Sequence, residues 1–330
     1  MGKEWNMEGL MELGWKFCDS RIFFTALELG VFDQILRQEK SASELSDKLG
    51  ATERGMGIIM DALAALGLVE KKKGMYRISQ SLLKFLDPED PDNARGIFEH
   101  LIHLWDQWNK LTPIVKGEVK VEEISVLSRG KERLKTFIQA MHVVAKNRAD
   151  DIVKAVNPGT AKKLLDVGGA SGTYTVAFLK ASRDLRATLF DLPDVIEIAQ
   201  ERLKNTEYWD RVELVKGDFY KDPLPGGHDL VFLSAIIHQN SLSQNEELFK
   251  KAYDALIPGG RIVIRDYVMD ETRTDPPGGA IFAVNMLVNT PGGTTYTFSE
   301  ISETLQKAGF KDVRILQSRK DMDSLVEAFR

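Results

Sequence analysis

From about residue 161 onward, short apolar runs alternate with helical stretches, and this alternation restricts the fold more than any other feature of the chain. The runs are Lys163–Val167, Ala187–Phe190, Val212–Val215, Leu230–Ser234, Arg261–Asp266, Val313–Leu316 and Leu325–Phe329. Between them the periodicity predicts helices near Tyr174–Ala181, Asp194–Leu203, Gln244–Leu256 and Phe298–Ala308, the third opened by a capping box of Ser243 and Glu246. Such a pattern gives an α/β fold with a Rossmann-like, doubly wound parallel sheet. Ligands of these sheets lie beyond the carboxyl ends of the strands, so the residues following each strand carry the functional reading.

The first 90 residues have a different texture, helical with one short hairpin. Ser41 and Glu44 form a capping-box pattern before Leu45 and Leu49, and Gly50 stops that helix. Thr52 caps the next, whose Met56, Ile59, Met60, Leu63 and Leu66 fall on one stripe. Strands Leu68–Glu70 and Met75–Ile78 flank a lysine turn, so the expectation is an all-helical winged-helix domain with a small wing. Its second helix offers Glu53, Arg54, Gly55, Gly57 and Asp61, neither a cationic surface for phosphates nor a base-reading set.

The whole chain points the same way. Of 330 residues, 44 are Lys or Arg and 49 Asp or Glu, a net charge of −5 that offers no general attraction to nucleic acid or an anionic membrane. A small-molecule partner is favoured. Cys18 alone makes neither an intrachain disulfide nor a thiolate cluster, Met1 opens no signal-like segment, and no run of about 18 apolar residues occurs. The expected location is the reducing cytoplasm. Residues 91–157 form a helical connector rich in large side chains, among them Trp105, Trp108, Phe137 and Met141, which serve either as core or as the lining of an apolar pocket. His100 and His103 share a helix face and could join Asp106 or His142 on a metal, but no cysteine or dense carboxylate set completes such a site, so no metal is expected.

The strand ends carry the chemistry. After the first strand stands Asp166-Val167-Gly168-Gly169-Ala170-Ser171-Gly172-Thr173, a turn in which glycines allow a close approach to a ligand. Ala170 and Thr173 occupy positions that a dinucleotide fingerprint reserves for glycine, and no P-loop occurs, which argues against phosphate cradling. The second strand ends at Asp191, either a solvated or capping aspartate or an acceptor for both hydroxyls of an adenosine ribose. Gly217-Asp218-Phe219 follows the third, with a carboxylate for an adenine amino group and a ring to stack on the base. Three adenosine-shaped features without a phosphate cradle select an adenosine cofactor lacking phosphate, a description that S-adenosylmethionine fits. The fourth strand runs into His238, at the sheet edge where an acceptor would lie, and the fifth ends at Asp266, placed to orient the imidazole and stabilise its charged form.

With these residues in view, the span from Phe23 to the C-terminus resembles the class I, S-adenosylmethionine-dependent O-methyltransferases related to plant caffeate, animal acetylserotonin and bacterial polyketide enzymes. Ala26–Asp33, Leu165–Gly172, Phe190-Asp191-Leu192-Pro193 and Pro258-Gly259-Gly260 carry the resemblance. It implies a winged-helix dimerisation domain over residues 1–90, a connector lining the substrate pocket over 91–157 and a cofactor-binding methyltransferase domain over 158–330. It also implies a homodimer. Carried onto this chain, it assigns Gly168, Asp191, Asp218 and Phe219 to the cofactor, His238 to the base position, and Met141 and Met286 to the acceptor pocket; the candidate site further takes Gly169, Gly172, Leu192 and Ser234 for the cofactor, Asp266 for catalysis, and Trp105, His142 and Asn289 for the acceptor. Three positions depart from the family: His238-Gln239-Asn240 stands where His-Asp-Trp is frequent, Ser234 where a lysine is frequent, and Phe298 where a second glutamate is frequent. Methylation of oxygen is expected, with carbon or nitrogen methylation and a ligand-sensing winged-helix regulator as the other readings. A nicotinamide oxidoreductase shares the fold but lacks support from the glycine pattern.

Overall fold

The computed structural model describes residues 4–121 and 130–330, which divide into two compact units, Met1–Ile102 and His103–Arg330. In the first, helix Met7–Glu28 starts at Asn6, whose side chain accepts the Gly9 N–H at 2.8 Å. Helix Ala42–Leu49 carries the expected capping box of Ser41 and Glu44 and ends at the left-handed Gly50, and helix Glu53–Ala65 is capped by Thr52. Met56, Met60 and Leu63 of the expected stripe are buried with Phe32, Ile35 and Tyr76, whereas Leu66 is 39% exposed. The unit is not all-helical. Strands β1 (Lys40–Ser41), β2 (Val69–Lys72) and β3 (Met75–Ile78) form an antiparallel sheet in the order β1-β3-β2, because the wing's alternating residues pair both with each other and with the chain entering the capped helix. Lys71 at the wing pairs with Asp61 at 2.5 Å, so part of the wing's basic charge is answered within the unit.

The second unit is built on a seven-stranded sheet of β4 (Lys163–Val167), β5 (Arg186–Asp191), β6 (Val212–Lys216), β7 (His228–Ser234), β8 (Leu256–Asp266), β11 (Lys311–Gln317) and β12 (Ser324–Phe329). A short parallel pair, β9 (Val268–Met269) with β10 (Tyr296–Thr297), lies apart from it. The order is β11-β12-β8-β7-β4-β5-β6. Strands β6, β5, β4, β7 and β8 are parallel, but β12 runs antiparallel to both β8 and β11, which corrects the expectation of an all-parallel sheet. The turn after β11 is too short for the crossover helix that a parallel pair requires. Chain order reverses at β4, which has β5 on one side and β7 on the other, and the crevice above this switch point is the expected ligand position. Leu165, Val167, Val231, Leu233, Ile262 and Ile264 bury one face of the sheet, while Leu164, Leu230, Phe232 and Val263 bury the other.

Two helices differ from expectation. Helix Leu242–Ala255 is capped by Ser241 with Gln244, not by Ser243 with Glu246. Both pairs satisfy the pattern, and the extended backbone of Ser241, following directly on the tight turn Ile237–Gln239, decides between them. Helix Pro277–Asn289 is one that the sequence periodicity does not predict. Gly279 is there for packing, since a Cβ would stand 2.4 Å from the Met269 sulfur. Among the described residues, no helix is long and apolar enough to cross a membrane.

Candidate active site

The glycine turn after β4 is shaped by neighbours on both sides. Gly168 has φ +68, and a Cβ there would lie 2.6 Å from Ile236 Cδ1, so backbone and side chain meet at the mouth of the β4/β7 crevice. A Cβ on Gly169 would meet Leu189 Cγ at 2.7 Å, and one on Gly172, at φ +73, would meet Leu203 Cδ1 at 2.9 Å. At the end of β5, Asp191 accepts the Ala170 N–H at 2.8 Å on one oxygen and the Leu192 N–H at 2.7 Å on the other. The surrounding protein desolvates this carboxyl and pushes its pKa up to about 6, against the opposing pull of those two N–H bonds. The residue still keeps part of its surface toward solvent, so a ligand can reach its remaining lone pairs.

Beyond β6, Asp218 is held in its own turn by the Tyr220 N–H at 3.0 Å and Lys221 Nζ at 2.8 Å. Burial alone would raise its pKa, but these donors keep it below the usual carboxylate range. The Phe219 ring packs against the core and stands 4.6 Å from that of Tyr220. The crevice edge is therefore lined by the carboxylates Asp191 and Asp218 and by close-set glycine backbone. That donor and acceptor set fits ribose hydroxyls, an amino group and a cationic sulfonium, and it repels phosphates.

Across the switch point, His238 sits on the turn Ile237–Gln239 with Nδ1 2.9 Å from both oxygens of Asp266. Asp266 is 1% exposed and also accepts the Tyr267 N–H at 2.8 Å. A carboxylate only accepts, so Nδ1 carries the proton and Nε2 presents a lone pair, with no hydrogen-bond partner among the described residues. The Phe282 ring stands edge-on to the imidazole, with centroids 4.9 Å apart and planes at 88°.

The turn bearing His238 is braced from behind. Asn240, fully buried, accepts the Tyr220 hydroxyl at 2.6 Å and donates to Asn245 Oδ1 at 2.9 Å, and Asn245 donates to the Ile237 carbonyl at 2.9 Å. Asn240 thus joins the Phe219-Tyr220 segment to the His238 turn. Sequence reading marked Asn240 only as a departure and missed Tyr220 and Asn245. The three are brought together across separations of 20 and 5 residues that no local pattern encodes.

Ser234 closes the end of β7 but accepts Arg265 Nη1 at 3.1 Å. Arg265 is in turn paired with Asp323 at 2.5 Å. His142 lies beside the glycine turn, with Nδ1 2.8 Å from Thr173 Oγ1, and not on a metal cluster. Burial first, then Arg202 and Lys146, lower its pKa to about 4 and keep it neutral. No group of three or more His, Cys, Asp or Glu able to hold a metal occurs among the described residues. Met286 and Asn289 share the Phe282 face of helix Pro277–Asn289, Met141 precedes His142 on helix Lys131–Val156, and Trp105 lies one turn before Trp108 on helix Arg95–Trp108.

Asp166, at the end of β4 and 2% exposed, accepts the Thr175 hydroxyl at 2.6 Å. Burial raises its pKa to about 6. A carboxyl raised in the fold contributes stability that is complete below pH ~4 and lost as the pH rises through ~6. Asp166→Asn should therefore raise stability at pH 7.5 by on the order of 1–3 kcal/mol, with the gain vanishing near pH 4. Thermal unfolding of both proteins across that range checks it, and a gain of equal size at pH 4 would contradict the titration.

With this geometry established, comparison with known proteins gives the family. The model described as the O-methyltransferase domain matches residues 119–311, more than half of the chain, and that of the O-methyltransferase dimerisation domain matches residues 11–81. The chain belongs to the O-methyltransferase family. It is a methyltransferase. Among relatives of this O-methyltransferase, the tetracenomycin polyketide synthesis 8-O-methyl transferase TcmO of Streptomyces glaucescens is 32% identical over 92% of this chain and 91% of its own. The 3-hydroxy-5-methyl-1-naphthoate 3-O-methyltransferase of Streptomyces sahachiroi is 29% identical over 88% of this chain and 86% of its own. Among solved structures, PigF with SAH has a TM-score of 0.89 at 21% identity, covering 99% of this chain and 100% of that one. Human N-acetylserotonin methyltransferase in complex with SAM has a TM-score of 0.83 at 23% identity, covering 100% and 99%.

Proposed function

We propose that this O-methyltransferase methylates a hydroxyl oxygen of a small aromatic acceptor, with His238 as general base and Asp266 as its orienting partner. The observation that carries the reading is the His238–Asp266 pair at 2.9 Å, set at the C-terminal edge of the sheet beside the glycine turn. Asp266 fixes the tautomer, and Nε2 takes the proton of the acceptor hydroxyl as its oxygen becomes nucleophilic. When bound, S-adenosylmethionine supplies a methyl group activated on a sulfonium. Gly168, Gly169 and Gly172 let the backbone approach it, Asp191 and Leu192 hold its ribose, Asp218 and Phe219 its adenine, and Ser234 closes the adjoining strand end. Phe282, Met286 and Met141, with Trp105 and Trp108, supply apolar surface for an aromatic acceptor, Asn289 adds a polar group to that lining, and His142 acts from beside the glycine turn. The Streptomyces relatives, named for a hydroxynaphthoate and for tetracenomycin polyketide synthesis, support an acceptor of that kind.

The dimerisation match supports a homodimer through the first unit, whose helix Met7–Glu28 and the residue Trp5 before it leave Trp5, Leu10, Met11, Leu13, Trp15 and Phe17 between 50% and 63% exposed. The acceptor reading is tested with methyl-labelled S-adenosylmethionine and a panel of naphthols and hydroxynaphthoates. Label recovered as an aryl methyl ether is expected. Label on ring carbon or nitrogen would overturn the assignment to oxygen.

A further inference from the structure

We infer that Tyr220 is a positioning residue for His238, acting through a one-way chain of side-chain hydrogen bonds that ends on the carbonyl of Ile237, the residue before the base. The inference rests on the reading of His238 as general base. The direction of the chain is fixed from the Ile237 end. A backbone carbonyl only accepts, so the Asn245 atom 2.9 Å from the Ile237 oxygen is its NH₂ nitrogen. The Asn245 amide oxygen therefore faces Asn240 and takes an N–H from it at 2.9 Å, which leaves the Asn240 oxygen for the Tyr220 hydroxyl at 2.6 Å. Tyr220 must donate. Asn240 and Asn245 are 0% and 2% exposed, so neither amide turns over without setting like groups face to face away from water.

The chain starts in the segment assigned to the cofactor. Tyr220 follows Phe219, the two ring centroids are 4.6 Å apart, and the Tyr220 N–H donates to Asp218 Oδ1 at 3.0 Å. A second tie runs from the same segment to the same helix, because Lys251 Nζ donates to the Phe219 carbonyl at 2.7 Å and Lys251 shares helix Leu242–Ala255 with Asn245. The His238 turn also meets its surroundings closely along the backbone. A Cβ on Gly293 would stand 2.5 Å from the His238 carbonyl oxygen, and the Tyr296 hydroxyl donates to the Asn240 carbonyl. Two amides and a hydroxyl in series fix distance and angle, which apolar packing alone does not, and displacement of a catalytic group by about 1 Å costs rate steeply. The contacts of His238 Nδ1 with Asp266 at 2.9 Å depend on that placement.

The test is Tyr220→Phe, which removes one hydroxyl and keeps the ring. The first readout is the imidazole spectrum of the five histidines in ¹⁵N-histidine-labelled protein saturated with S-adenosylhomocysteine, with the His238 signals identified by their loss in His238→Ala. In the unsubstituted protein they should show one tautomer, protonated at Nδ1, and in Tyr220→Phe they should move toward the average of the two tautomers. The second readout is turnover of the naphthol or hydroxynaphthoate selected by the acceptor panel. Its kcat should fall about tenfold in Tyr220→Phe, with KM for S-adenosylmethionine and affinity for S-adenosylhomocysteine kept within about twofold. Asn245→Leu cuts the chain at its other end and should lose as much, and the double variant should lose no more than the larger single loss. Unmoved His238 signals, an unchanged kcat, or losses that multiply in the double variant overturn the inference. So does a fall in S-adenosylhomocysteine affinity with kcat unchanged, which would make Tyr220 a cofactor contact. Failure of the base reading is a separate outcome, since it shows as turnover retained in His238→Ala.

Discussion

Replacing His238 with alanine is expected to lower kcat by about 10²–10⁴-fold while leaving affinity for S-adenosylhomocysteine within about twofold. The imidazole contributes a lone pair toward the acceptor and nothing to the Asp191 side of the crevice, so loss is confined to the chemical step. Alanine also strands the buried Asp266 carboxylate, which then keeps only the Tyr267 N–H and the distant His238 N–H at 3.4 Å. Asp266→Asn separates that structural cost from catalysis. Its amide oxygen keeps the Tyr267 N–H and its NH₂ group faces Nδ1, which moves the imidazole proton to Nε2 and removes the lone pair. Turnover should fall to a similar degree with the ring still in place. Turnover unchanged in either variant would remove His238 as the base.

Asp191→Asn is expected to weaken S-adenosylhomocysteine binding by roughly 10²-fold, the loss of about 3 kcal/mol from two hydroxyl bonds to a charged acceptor. The pH dependence follows from the same group. Its pKa is raised to about 6 by burial, and ribose hydroxyls that donate to the carboxylate favour the ionised form. Affinity should therefore fall as the pH drops through ~6, by up to tenfold per unit, and level off above pH ~7. In Asp191→Asn the profile should be flat over that interval. A pH profile in the variant that matches the parent's would assign the titration to another group.

Much of this was readable from residues alone, for a physical reason in each case. Every apolar run became a strand, and in the central β4, β5, β7, β8 and β12 the reason is burial on both faces, which requires near-continuous apolar residues. Ser41 with Glu44, Gly50 and Thr52 were readable because capping is local. Direction was not readable in β12, since an apolar run has no polarity of its own. The choice of Ser241 over Ser243 was hidden because two capping patterns overlap two residues apart. Helix Pro277–Asn289 was hidden because Gly279 reads as flexibility, whereas its lack of a Cβ makes room for the Met269 sulfur. The strand-end residues Gly168, Asp191 and His238 were found because topology alone sends them to one edge. Asn240, Asn245 and Tyr220 were not, because their roles lie in side-chain bonds across 5 to 20 residues that follow no local pattern.

The central claim is an adenosine site without a phosphate cradle, joined at the same edge to an oriented imidazole. It is tested most directly by calorimetric titration of the purified protein with S-adenosylhomocysteine, with NAD as control. Saturable binding of S-adenosylhomocysteine, one per chain, and none of NAD is the predicted result. A folded, ligand-free protein that binds NAD, or that fails to bind S-adenosylhomocysteine, would contradict it.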